Sequence, residues 1–167
     1  MTDDIIYMAL YVKVSNSYAV TIGVTFIYEG LDVLIHNPRG EFPTDFFEIH
    51  MKECDQILRL NLTSAFLISR QAARTFRQKR HGAIVNISSV AGRSVSITSE
   101  CHYTAAKSGI LGLTRHMAQA LARYNIRVNA VCPGLTNSER IVKRLEAQGK
   151  ADQAKESIFL GRIGDVD

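Results

Sequence analysis

The chain has 167 residues, 46% of them apolar and 22% charged, with a formal net charge of +4. That length suits one domain with a sizeable core, and the balance is that of an ordinary globular protein, not a disordered or fibrous one. Three scattered cysteines, Cys54, Cys101 and Cys132, form no CxxC pair; this argues against a zinc cluster or a disulfide framework and fits reduced thiols in the cytoplasm.

The N-terminus opens MTDD, with acids where a secretory leader carries bases. The stretch from Ile5 to Tyr28 is interrupted by Lys13 and by SNS, so it is a poor membrane span. Its Val, Ile, Tyr and Thr content reads as one or two strands, and residues 1–30 stand apart as an atypical N-terminal segment. From residue 31 the pattern is regular. LDVLIHN (31–37) is a short apolar run ending in polar residues. A helix is predicted over roughly Glu53 to Gln78, with Leu58, Leu62, Ala65, Phe66, Ala73 and Phe76 on one face. It closes in RTFRQKRH (74–81), where cations complement the negative end of the helix dipole. No basic stripe interleaved with aromatics follows, which argues against a nucleic-acid surface. GAIVNISS (82–89) is a second apolar run. CHYTAAKSGILGLTRHMAQALARY (101–124) is a second helix, with Ile110, Leu113, Met117 and Leu121 on one face. NIRVNAVCPG (125–134) is a third strand, stopped by Pro133 and Gly134. A polar helix then runs from Ser138 to about Gln148, ended by Gly149.

Strands alternating with helices predict parallel βαβ units with right-handed crossovers. Runs apolar at nearly every residue suit strands covered on both faces. In such sheets ligands bind beyond the carboxyl ends of the strands. That edge collects Asn37, Ser88, Ser89, Pro133 and Gly134, and the start of the second helix brings Tyr103 and Lys107 towards it. These two are four residues apart, one helical turn, on one face. His36, His50, His81 and His116 lack metal-ligand spacing and read as surface or packing residues, and no metal site is expected. His102 is beside Tyr103 in sequence but on another face of the helix.

GAIVNISSVAG, then YTAAK, then IRVNAVCPG, in that order, resemble the short-chain dehydrogenase/reductase family. LDVLIHN resembles the strand leading into that family's NNAG motif, LNLTSAFLISRQAA its next helix, and LGRIGDVD its LGRxGxPxE segment. The likeness covers about residues 31–167. It implies an α/β fold: a Rossmann-like parallel sheet with flanking helices, incomplete because the first βαβ units and the last strand have no counterpart. It implies an oxidoreductase that moves a hydride between NAD or NADP and a small carbonyl or alcohol. Tyr103 would be the general acid/base, and a free phenol, with a pKa of ~10, needs a nearby cation such as Lys107 to serve at neutral pH. Lys107 would also bond the cofactor ribose. Ser89, aligned through SVAG, would hold the substrate oxygen, with Ser88 the competing choice. Asn61 would mark a helix distortion whose carbonyl holds a relay water. Asn37, Pro133, Gly134, Thr136 and Ser138 would complete the cofactor site. Association as a homo-oligomer or with a related subunit is a further implication. Nucleic acid and membrane are not expected partners.

Three departures from the family pattern qualify this. The glycine-rich TGxxxGxG turn, which cradles the cofactor diphosphate, is absent from the sequence, and with it the residue that separates NAD from NADP. HNPRG (36–40) replaces NNAG: His36 stands for the first asparagine, Pro38 removes a backbone donor, and Arg39 intrudes where the family has space. The last family strand is not reached. The alternative reading is therefore an inactive relative that serves as a binding or oligomerisation partner. The strand at 31–36 would also lack its usual neighbour, and the segment from Ile5 to Ile27 is expected to pair with it.

Overall fold

The computed structural model describes residues 6–14, 18–27, 30–38, 40, 44–94 and 99–165. Arg39, part of the HNPRG departure, lies outside them. Five strands form one sheet in the order β1 (Ile6–Val14), β2 (Tyr18–Ile27), β3 (Gly30–His36), β4 (Gly82–Ile87), β5 (Ile126–Val131). β3, β4 and β5 are parallel, with His36 opposite Asn86 and Ile87 opposite Val131. β2 lies antiparallel along the outer edge of β3 and β1 antiparallel to β2. The amide groups of β3 thus have a neighbour on that edge.

Between β3 and β4 runs one helix in three parts: α1 (Met51–Leu58), a π turn (Arg59–Thr63) and α2 (Ser64–Lys79). α3 (Cys101–Leu121) connects β4 to β5, and α4 (Glu139–Ala147) and α5 (Ala151–Glu156) follow β5. The core lies where α2 and α3 cover one sheet face. Leu34, Ile84, Ile126 and Val128 of the strands meet Ala72 and Phe76 of α2, with Met117, Ala118 and Leu121 of α3 packed against them. Each large side chain buried there stabilises by about 1.5–3 kcal/mol. The expected cover on both faces is not seen at every position: Ile35 and Val131 point to the other face and are 41% and 48% exposed.

α2 stops on a left-handed residue, Arg80, and the 3-10 turn Ala122–Tyr124 that continues from α3 stops on another, Asn125. These ends hold each other, since Arg80 donates to the Arg123 carbonyl and Asn125 to the Arg80 carbonyl. That sets β4 and β5 off in register, with Gly82 opposite Ile126. Gly82 cannot carry a side chain, because a Cβ there would sit 2.3 Å from the Phe76 ring. Phe66, expected inside, is instead 45% exposed. Ala65, Ser69, Ala72 and Phe76 form the buried row of α2, and Phe66, about 100° round the helix from Ala65, falls outside it. α4 and α5 bury a separate cluster of Ile141, Leu145 and Ala154, with Leu135 and Ile163 beside it. Gly149 ends α4 with a φ of +62°.

Candidate active site

The carboxyl ends of β3, β4 and β5 form one rim. After β5 the chain is tied to the end of β4: Ser88 N–H donates to the Val131 carbonyl at 2.7 Å and Val90 N–H to the Pro133 carbonyl at 3.0 Å. Gly134 is exposed, with the Val90 side chain the nearest atom a Cβ would meet, at 4.0 Å. Thr136 bridges to Gly164, and Asn137 N–H donates to the Gly164 carbonyl. Ser138 sits at the N-cap of α4, yet its hydroxyl makes no capping bond and is buried with no partner among the described residues.

Lys107 is the buried centre of the rim. Its side chain reaches back from α3, and Nζ donates to the carbonyl of Ile87 at 3.0 Å and of Pro38 at 3.3 Å. One ammonium therefore joins the ends of β3 and β4. The same Nζ lies 5.5 Å from the centre of the Tyr103 ring. The helical spacing read from the sequence thus brings phenol and ammonium together at the rim, with Tyr103 only half-buried.

The two serines separate cleanly. Ser88 is buried and its hydroxyl donates to the Lys107 carbonyl at 2.8 Å. Ser89 lies at the rim, half-buried, and its hydroxyl accepts from Ala91 N–H at 3.2 Å. The following turn presses on α3 at Gly92, where a Cβ would lie 2.7 Å from the Lys107 carbonyl carbon and oxygen.

Asn61 occupies the middle of the π turn and is fully buried. Its Nδ2 donates to the carbonyls of Ile57 and Gly40, each at 3.0 Å, so it takes the place of a backbone donor within the helix. Ser64 N–H reaches back five residues to the Arg59 carbonyl. The distortion expected at Asn61 is present. Asn37 is exposed just past β3, and none of the described contacts joins it to Tyr103 or Lys107.

His36, read from sequence as a surface or packing residue, is fully buried. Its Nε2 lies 3.2 Å from the Ser64 hydroxyl, which itself donates to the Leu60 carbonyl at 2.6 Å. With its hydrogen used there, Ser64 can only accept, so His36 carries its hydrogen on Nε2. Burial, and then the charge of Lys107, lower its pKa from 6.5 to about 4. The ring is neutral at physiological pH. By helical spacing His102 faces away from Tyr103. Its side chain is nevertheless fully buried, with Nε2 3.3 Å from Glu53 Oε1. Nothing in the sequence joins two residues 49 positions apart. Among the described residues no group of three or more His, Cys, Asp or Glu is placed to hold a metal ion, and no helix is long and apolar enough to cross a membrane.

The sequence matches the family described as short chain dehydrogenase over residues 7–149. The chain belongs to that family. The match begins before residue 31, where the resemblance of the motifs starts. A 3-oxoacyl-[acyl-carrier-protein] reductase of Aquifex aeolicus is 32% identical over 138 residues, 83% of this chain and 54% of that protein. Among solved structures, ElxO with NADP bound superposes with a TM-score of 0.75 at 26% identity, over 83% of this chain and 56% of that one. NAD+-bound xylitol dehydrogenase gives 0.71 at 28% identity, over 81% and 57%. The chain therefore spans little more than half the length of these members. The fold is the family's α/β, Rossmann-like arrangement in incomplete form.

Proposed function

We propose that this short chain dehydrogenase domain carries the acid/base half of an NAD(P)-dependent oxidoreductase acting on a small carbonyl or alcohol. The observation that carries this reading is Lys107, buried, bonded to the ends of two parallel strands and 5.5 Å from the Tyr103 ring at the rim. A cation fixed there favours the phenolate. In reduction, Tyr103 gives its hydroxyl proton to the substrate oxygen as that oxygen becomes an alkoxide; in oxidation it takes the proton back. Ser89, with its hydroxyl at the rim, holds that oxygen, whereas the Ser88 hydroxyl is already committed to the Lys107 carbonyl. Asn61 keeps the place of the family's relay residue.

The residues present fit the nicotinamide-ribose end of the cofactor. Lys107 would hold the ribose, Pro133 and Gly134 would line the ring, and the Ser138 hydroxyl, buried with no partner among the described residues, would join Thr136 and Asn37 in binding. The bound nicotinamide would supply or accept the hydride. The diphosphate end fits less well, because the chain offers no glycine-rich turn before β3. The test is Tyr103→Phe. NAD(P)H-dependent turnover across small aldehydes, ketones and 3-oxoacyl thioesters should vanish while the melting temperature stays close to that of the parent. Undiminished turnover refutes the assignment.

A second reading, a non-catalytic partner of a related or identical subunit, is favoured by Ile35 and Val131, which expose aliphatic surface on one sheet face. Cofactor titration followed by NADPH fluorescence separates the two. Micromolar binding supports the enzyme, and no binding at millimolar cofactor supports the partner.

A further inference from the structure

α3 carries Tyr103 in its first turn, and that turn is held by contacts with other elements, one of them the bond from Arg144 of α4 to the Glu100 carboxylate at 2.9 Å. The N-cap residue, Glu100, makes no side-chain capping bond and the turn contains no acidic residue. A capping side chain is thus not in use, and the Glu100 carboxylate acts on this helix start through its charge on the dipole. Residues 103 and 107 face one another only while the backbone between them is wound. Whatever keeps this turn wound therefore also sets the phenol beside the ammonium.

His102 makes a contact able to do this. Its side chain is fully buried and Glu53 is 18% exposed. A carboxylate accepts only, so His102 Nε2 is the donor across the 3.3 Å gap to Glu53 Oε1. The same oxygen accepts from the Thr44 hydroxyl. Glu53 is itself well seated, in the first turn of α1, with its N–H bonded to the His50 carbonyl at 2.9 Å. His102 Nδ1 is buried with no partner among the described residues, so within them the ring's polar anchorage is Glu53. The pair links α1 to the residue directly before Tyr103. His102 and Tyr103 point in different directions, which lets one anchor the turn while the other faces the rim.

We propose that Glu53 is a positioning residue for Tyr103: through His102 it holds the first turn of α3 against α1 and so keeps the phenol in place over Lys107. This rests on the acid/base reading of Tyr103, and the experiment separates the two. Glu53→Ala, Glu53→Gln and the exposed neighbour control Lys52→Ala are compared by amide hydrogen exchange at Thr104, whose N–H makes the first bond of the helix to the Glu100 carbonyl at 3.0 Å. The Tyr103 phenol is titrated in parallel by NMR of tyrosine labelled at the ring Cζ, with Tyr103→Phe giving the assignment.

In Glu53→Ala the Thr104 amide should exchange at least about tenfold faster, and the phenol midpoint should move up towards the ~10 of free tyrosine. Glu53→Gln keeps an oxygen that accepts from His102 and should largely restore both, and Lys52→Ala should match the parent. Unchanged Thr104 exchange in Glu53→Ala overturns the proposal. So does an equal acceleration at Ile84 in β4, since the effect would then be general loosening. If the parent phenol already titrates like free tyrosine, the acid/base reading fails, and the exchange result by itself decides whether the anchor exists.

Discussion

Replacing Gly92 by alanine puts a methyl group into backbone. The added Cβ would lie 2.7 Å from both the carbonyl carbon and the oxygen of Lys107, and 2.9 Å from the Ser88 hydroxyl. The two nearest atoms are backbone, and the Ser88 hydroxyl is bonded to one of them, so the turn at residues 90–92 must move off α3. Overpacking of this kind costs about 1–3 kcal/mol. Movement of the turn also disturbs the bond from Ser88 to the Lys107 carbonyl, worth about another 1 kcal/mol. The expected loss is about 2–4 kcal/mol, a fall in melting temperature on the order of 10 °C for a domain of this size. Gly112→Ala is the matched control: the same chemical change inside α3, where a Cβ meets nothing nearer than the Arg115 guanidinium at 3.9 Å. There the gain in helix propensity is about 1 kcal/mol, and melting should rise by a few degrees. Thermal unfolding followed by circular dichroism reads both. If Gly92→Ala melts at or above the parent, the close approach of the two segments is wrong, and with it the argument for how Lys107 is held.

Acid should destabilise the fold through His36. Its folded pKa is about 4 against 6.5 for the free group, so between those values the unfolded chain binds the proton and the native state does not. This contribution leaves stability intact above about pH 6.5 and erodes it as pH falls towards 4, by about 2 kcal/mol between pH 7.5 and 5. Urea unfolding at the two pH values should show a smaller acid loss in His36→Asn, and equal losses in the two proteins would count against a buried neutral ring. The pair of Arg144 and Glu100, 2.9 Å apart with both side chains about 12–13% exposed, should show a coupling above ~1 kcal/mol in a double-mutant cycle. The exposed Lys143 and Glu139 pair should show less than ~0.5 kcal/mol, so equal couplings would contradict the burial argument.

Much of the frame was legible because parallel strands and amphipathic helices advertise themselves by period. LDVLIH, GAIVNI and the strand before Pro133 were placed within a residue or two, since each is a short apolar run next to a turn residue. The inner face of the long helix was not wholly legible. A stripe drawn from Leu58 to Phe76 puts Phe66 inside, whereas the covered row of α2 runs through Ala65 and Phe76 and leaves Phe66, about 100° round from Ala65, on the exposed side. α5 and the 3-10 turn at Phe46–Glu48 went unread, as six and three residues are too few to show a period. Tyr103 and Lys107 were legible because their link is local, one turn of helix. The Glu53–His102 contact was not, because it is created by the packing of α1 on α3, and the same rule that kept His102 away from Tyr103 also hid where it went.

The two faces of the sheet carry different parts of the case. Every polar group in the proposed chemistry hangs from the rim or from the helices on the Leu34 face, held there by Lys107, Asn61 and the Ser88 hydroxyl. The other face contributes no described bond to that arrangement, while Ile35 and Val131 remain roughly half exposed on it. Covering those two side chains would add on the order of 1 kcal/mol each, which is a real fraction of the 5–15 kcal/mol that typically separates a native domain from its unfolded chain. A surface that docks there would stabilise the sheet without touching Tyr103. Partner binding at that face and the proposed acid/base chemistry at the rim would therefore draw on separate parts of this fold, and a variant such as Val131→Lys should weaken the first while leaving the geometry of the second unchanged.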